Sequence, residues 1–86
     1  MNYKKVSRSG TILWYDDDGS LHRENGPAIE WSDVVKEWWI HDKRHREDGP
    51  AVDYGSGGKE WWLNNVEYTE EEYKEKMRSK KLKQIL

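Results

Sequence analysis

Apolar and polar residues alternate along most of this chain in short runs, and turn-forming residues punctuate the runs. Residues 13–15, 29–31, 38–40, 52–54 and 61–63 are rich in Trp, Tyr, Ile and Val, the pattern of short β-strands. Glu24-Asn25-Gly26 and Glu47-Asp48-Gly49 read as tight hairpin turns, with Asn-Gly and Asp-Gly supplying positive φ angles. Pro27 and Pro50 follow them, and a residue with no N–H to donate suits a strand start. A second kind of turn is Gly55-Ser56-Gly57-Gly58, matched by Ser32-Asp33-Val34-Val35 and by Arg8-Ser9-Gly10. The pattern predicts a mainly β fold, a single twisted antiparallel meander sheet of tandem hairpins.

The runs also repeat. His22-Arg23-Glu24-Asn25-Gly26-Pro27-Ala28 returns as His45-Arg46-Glu47-Asp48-Gly49-Pro50-Ala51, and Lys36-Glu37-Trp38-Trp39-Ile40 as Lys59-Glu60-Trp61-Trp62-Leu63, both after 23 residues. A fixed period of this size marks one supersecondary unit stacked on itself. Trp14 precedes Trp39 by 25 residues, and the Asp16-Asp17-Asp18-Gly19-Ser20 turn is expected to absorb the two extra positions.

Alternation sorts side chains by face. It predicts Leu13, Tyr15, Ile29, Trp31, Trp38, Ile40, Val52, Tyr54, Trp61 and Leu63 on a core face. The opposite face then carries Glu30, Glu37, Asp53 and Glu60 with a ladder of Trp14, Trp39 and Trp62.

The repeat ends at Tyr68, dividing the chain into a sheet over residues 1–68 and a C-terminal capping helix over residues 69–86. Thr69-Glu70-Glu71-Glu72 has the form of a capping box. Acids fill the first turn and Lys80, Lys81 and Lys83 the last, as the helix dipole favours. Tyr73 and Met77 form a narrow apolar stripe, continued by Leu82, Ile85 and Leu86. The helix is expected to fold back over part of the sheet, because an apolar sheet face needs a cover.

Composition narrows the function. Only 34% of the 86 residues are hydrophobic and 37% are charged, so six Trp and five Tyr must supply most of the buried area. There is no Cys, hence no disulfide and no thiolate chemistry, which fits a cytoplasmic setting. No apolar run is long enough for a membrane span or a signal peptide. The net charge of −2 is uneven: 13 acids against 9 bases to Tyr68, then 4 against 6. A nucleic-acid footprint would therefore be confined to the tail.

The period resembles that of MORN repeats, tandem β-hairpins with a Gly-rich aromatic pattern. Trp39-Ile40-His41-Asp42-Lys43-Arg44-His45 is similar to that family's aromatic strand, turn and His. The Gly-x-Gly that usually follows the His is replaced here by Arg-Glu-Asn/Asp-Gly-Pro-Ala, a variant that resembles repeats of small phage and bacterial proteins and, distantly, MORN-type antitoxins. The resemblance covers residues 3–68 and implies an elongated, twisted sheet used for binding.

Candidate sites follow. Trp14, Trp39 and Trp62 beside Glu30, Glu37, Asp53 and Glu60 suit a partner protein, through aromatic anchoring and cation–π contact with its Lys or Arg. The competing reading is structural, with the helix covering the ladder or the two faces exchanged. Lys74, Lys76, Arg78, Lys80, Lys81 and Lys83 offer a nucleic-acid alternative, with Trp stacking on bases; a solvated lysine-rich helix is the plainer reading. His22, His41 and His45 are few and spread over several strands, so no metal or cofactor is expected, and pairing with turn carboxylates explains them. The Asp16–Ser20 segment lacks the Gly and Glu positions of an EF-hand loop. No nucleophile with its base and no phosphate loop is present. The expectation is a non-enzymatic protein-binding module, inhibitor- or antitoxin-like, with a small-ligand sponge as a third reading. Open sheet edges would allow a homodimer.

Overall fold

The computed structural model describes residues 3–31 and 34–85, with side chains as far as Lys80. The strands are β1 (Tyr3–Val6), β2 (Ile12–Tyr15), β3 (Ile29–Glu30), β4 (Lys36–Glu37), β5 (Trp39–Ile40), β6 (Lys43–Arg44), β7 (Val52–Asp53), β8 (Lys59–Leu63) and β9 (Val66–Tyr68), and one helix follows, α1 (Glu70–Ile85). Seven strands form an antiparallel meander in the order β1-β2-β3-β4-β7-β8-β9, and β5-β6 is a separate two-stranded hairpin. The mainly β fold with a C-terminal helix agrees with the sequence pattern. The molecule is flat, 46 × 32 × 18 Å. No helix among the described residues is long and apolar enough to cross a membrane.

Hairpin geometry sets the register. At one end, three loops close alike: Ser7 N–H to Thr11 O at 2.9 Å, Trp31 N–H to Val35 O at 3.0 Å and Tyr54 N–H to Gly58 O at 2.9 Å. At the other end, Tyr15 bridges to Leu21, Trp39 pairs with Arg44 and Trp62 with Glu67. The first of these loops is thus one residue longer than the others, not two. By backbone pairing Trp14 aligns with Trp38 and Trp61, and Tyr15 aligns with Trp39 and Trp62.

That single-residue offset changes the faces. Leu13 pairs with Ile29, Ile29 with Glu37, Glu37 with Val52 and Val52 with Glu60. Directly paired residues share a face, so Glu37 and Glu60 lie with Leu13, Ile29 and Val52. The same row logic puts Glu30 and Asp53 on the opposite face, through Ile12–Glu30, Glu30–Lys36, Lys36–Asp53 and Asp53–Lys59. The predicted acidic face is therefore divided between the two sides, and the ladder with it. Trp14 goes with Trp38 and Trp61, while Trp39 and Trp62 go with Tyr15.

The turn chemistry is also redistributed. Positive φ angles occur at His41 (47°), Asp42 (65°), Asn64 (49°) and Asn65 (69°), the two-residue turns of β5-β6 and β8-β9, and not at Gly26 or Gly49. Those two glycines answer a steric demand instead: a Cβ would stand 3.1 Å from Arg23 Cζ at Gly26 and 2.8 Å from Arg46 Cζ at Gly49. The helix starts as the sequence predicts. Thr69 N–H donates to Glu72 Oε1 at 2.9 Å and Glu72 N–H to Thr69 Oγ1 at 3.1 Å. The Thr69 donors hold the Glu72 carboxyl below its ordinary range. Tyr73 is buried and Met77 half-buried, as expected; the side chains of Leu82 and Ile85, and Leu86 as a whole, lie outside the described residues, as do Ser32 and Asp33.

Candidate functional site

One face of the sheet is closed by the chain itself. Trp14, Trp38 and Trp61 alternate with Ala28 and Ala51 across the strands, linked by Trp14 N–H to Ala28 O (2.8 Å), Trp38 N–H to Ala51 O (2.7 Å) and Ala51 N–H to Glu60 O (2.8 Å). Both alanines are fully buried. The Arg23 guanidinium stacks on Trp14 at 4.3 Å and that of Arg46 on Trp38 at 3.7 Å. Their Nη1 groups donate to Pro27 O (3.2 Å) and Pro50 O (3.1 Å). In the third copy Tyr73 of α1 packs on Trp61 with centroids 4.9 Å apart and donates its hydroxyl to Arg46 O. Burial pushes the Tyr73 hydroxyl above its ordinary pKa. The His-Arg-Glu-Asn/Asp-Gly-Pro-Ala motif is thus a clamp over Trp. Glu30 and Asp53 serve this architecture too: Glu30 lies 3.7 Å from Arg23 Nη1, and Asp53 accepts the Gly55 amide at 2.8 Å.

Among the described residues the other face carries no helix, and its buried apolar side chains are Ile29 and Val52. Its aromatic row is Tyr15, Trp39 and Trp62, with Tyr3 stacked on Tyr15 at 5.3 Å. Glu37 accepts the indole N–H groups of both Trp31 and Trp39, the latter at 2.9 Å. Glu60 repeats the arrangement, accepting from the Tyr54 hydroxyl and the Trp62 indole at 2.8 Å each. Donation to Glu60 holds the Tyr54 hydroxyl above its ordinary pKa. The Arg44 guanidinium sits between Trp39 and Trp62, 5.0 Å from each ring, with Nε 3.6 Å from Glu37. The slot foreseen for a partner's cation is filled by the chain's own Arg44.

What this face leaves open is Tyr3, 50% exposed, at one edge, and Trp31, 51% exposed, and Tyr54, 41% exposed, nearer the middle strands. Val34 lies beside Tyr54, its Cγ1 close against Gly55. Alternation alone assigns Trp31 and Tyr54 to the core, which the structure corrects. A signal is present all the same, since both stand six residues before a Glu and eight before a Trp, at Glu37/Trp39 and Glu60/Trp62.

No family model, curated protein or solved structure matches this chain.

The helix cations up to Lys80 are engaged. Lys74 pairs with Glu70 at 3.0 Å, Arg78 with Glu75 at 3.2 Å and Lys80 with Glu47 at 2.6 Å, while Lys76 stands 5.7 Å over the Tyr68 ring. The side chains of Lys81 and Lys83 lie outside the described residues. Two of the histidines are brought together rather than spread apart: His22 and His41 stack at 4.1 Å, and His41 Nδ1 lies 2.7 Å from Asp16 Oδ2. That contact holds the Asp16 carboxyl below its ordinary range. His45 Nε2 lies 3.0 Å from Glu47 Oε2.

Proposed function

We propose that this chain is a non-enzymatic protein-binding module, inhibitor- or antitoxin-like, which docks a partner on the Trp31–Val34–Tyr54 ridge of its uncovered face. The observation that supports this reading is the fixing of two half-exposed rings by carboxylates. Trp31 is tied to Glu37 and Tyr54 to Glu60, so neither ring has to be ordered when a partner arrives. Rigid, amphipathic Trp and Tyr side chains are frequent energetic anchors of protein interfaces. Arg44 illustrates the chemistry the face accepts, a guanidinium between aromatic planes beside a carboxylate. The partner is accordingly a protein presenting Arg or Lys among apolar side chains. The resemblance to repeats of small phage and bacterial proteins supports an inhibitory role, such as blocking a host defence protein or nuclease.

Affinity capture from nuclease-treated host lysate tests the proposal. A protein retained by the native chain should be lost with Trp31→Ala/Tyr54→Ala and kept with Glu30→Ala, whose side chain lies on the clamped face. Capture that survives the double substitution, or that disappears on nuclease treatment, refutes it.

A further inference from the structure

The two junctions between repeat copies follow one plan, and one of them carries two departures from it. Between the second and third copies, His45 Nδ1 accepts the Asn64 amide at 3.0 Å, and the strand end nearby is the apolar Ile40. Between the first and second copies, His22 Nδ1 accepts the His41 amide at the same 3.0 Å. Here Asp16 aligns with Ile40, and His41 aligns with Asn64. The departures converge, since His41 Nδ1 is 2.7 Å from Asp16 Oδ2 and its ring stacks on His22. One donor atom from each of Asp16, His22 and His41 lies within 4.8 Å of the others. The second junction holds with Ile40 in the Asp16 position and Asn64 in the His41 position, so the fold requires neither the Asp16 Oδ2 contact nor the His41 ring there.

We infer that Asp16, His22 and His41 form a binding site for a divalent transition-metal ion of the zinc class. Two imidazole nitrogens and a carboxylate oxygen suit such an ion, with water completing the coordination. The Asp16 carboxylate is oriented by its own turn. Its Oδ1 accepts the Asp18 and Ser20 amides at 3.0 Å each, leaving Oδ2 turned to the imidazoles. Asp16 and His22 are buried and His41 is exposed, which provides a way in. Behind the ring, Glu24 Oε1 lies 3.6 Å from His22 Nε2, the kind of carboxylate that orients a ligating histidine.

The chemistry carries a signature. Because His22 Nδ1 accepts an amide proton, the ring's own proton rests on Nε2. An ion on Nδ1 takes that lone pair, whereas an ion on Nε2 drives the proton onto Nδ1. In both cases the His41 amide loses its acceptor, so metal binding and the His41–His22 hydrogen bond exclude each other. The equivalent Asn64–His45 bond is untouched.

Titration of the full chain with zinc chloride in a non-chelating buffer, followed by proton–nitrogen correlation spectra, tests the site. Saturable binding should move the His41 amide and the His22 and His41 ring signals, with the Asn64 amide stationary. His41→Asn installs the residue the third copy already uses at φ 49°, so the turn stays folded. Affinity should nevertheless fall by more than the roughly 10–100-fold that losing an outer partner of a ligand costs. Three results overturn the inference: no saturation up to about 1 mM zinc, the limit of weak binding; equal binding by His41→Asn; or shifts centred on His45 and Glu47.

Discussion

The two sides of this sheet are built from adjacent residues of the same type, half-buried alike, and their rings are held by different partners. On the clamped side Trp14, Trp38 and Trp61 lie under Arg23, Arg46 and Tyr73. On the uncovered side Trp39 and Trp62 flank a single Arg44, and Trp31 and Tyr54 are left half-exposed. In each Trp-Trp pair the first ring is fixed by a cover and the second by a carboxylate. A cover removes apolar area from water and so holds the fold. A carboxylate only fixes the ring's orientation, and at Trp31 and Tyr54 it leaves area open to a partner. Exposure together with a fixed rotamer, more than Trp content, separates a contact surface from a core in so thin a molecule.

The largest expected difference between the sides comes from truncating one ring on each. Trp38→Ala removes the indole between Ala28 and Ala51 and strips Arg46 of its stacking surface. Large aromatic-to-Ala changes cost about 3–5 kcal/mol at fully buried positions, and half-buried Trp38 should lose about 2–3 kcal/mol. A chain of this length holds only roughly 4–13 kcal/mol in all, so Trp38→Ala should melt well below the native chain. Trp31→Ala gives up exposed area and one bond to Glu37 and should cost about 1 kcal/mol. Thermal unfolding by circular dichroism checks the pair. Equal melting temperatures would erase the distinction between the faces.

A smaller effect sharpens the account of the clamp. Gly49 has no positive φ, so Ala there carries no backbone strain. Its Cβ would instead meet the Arg46 guanidinium at 2.8 Å and displace it from Trp38 and Pro50 O. Losing one cation–π contact and one hydrogen bond should cost about 1–2 kcal/mol. In an Arg46→Ala background the same Gly49→Ala change should become neutral, or stabilising by up to about 1 kcal/mol through the unfolded chain. A double-mutant cycle on denaturant midpoints decides. A Gly49→Ala cost that persists without Arg46 contradicts the steric reading.

These distinctions explain which features are legible in the residues. Period-two runs locate the strands, and Thr69 with Glu72 locates the helix start, because both signals are local. The faces are not legible, since a doubled Trp hides a one-residue slip: aligning Trp14 with Trp38 or with Trp39 leaves a Trp on the face either way. Backbone pairing alone decides, through a loop one residue longer at Asp16–Ser20. Gly26 and Gly49 mislead for a similar reason. Asn-Gly and Asp-Gly are turn signals by themselves, but the demand for glycine comes from an arginine three residues earlier. The meeting of Asp16 with His41 also escapes the sequence, because the two lie 25 residues apart and touch only across a junction.

The smallest effect concerns how the helix is fastened to the clamped side. Glu47 is held below its ordinary value of 4.5 by the hydrogen bond from Lys80 first and by His45 second. A carboxylate with a lowered folded-state pKa adds stability above its unfolded value and loses it as pH falls through the folded value. Glu47's contribution is therefore present at pH 7 and gone well below pH 4.5. Both partners are about half exposed, so solvent screening limits the pair to under about 1 kcal/mol. Lys80→Met removes the larger of the two causes and leaves His45. Its melting temperature should fall slightly at pH 7 and match the native chain at a pH well below 4.5, where the lowered Glu47 carboxyl has been protonated. A Lys80→Met deficit of equal size at both pH values would mean that Lys80 acts through packing of its stem and not through the Glu47 charge.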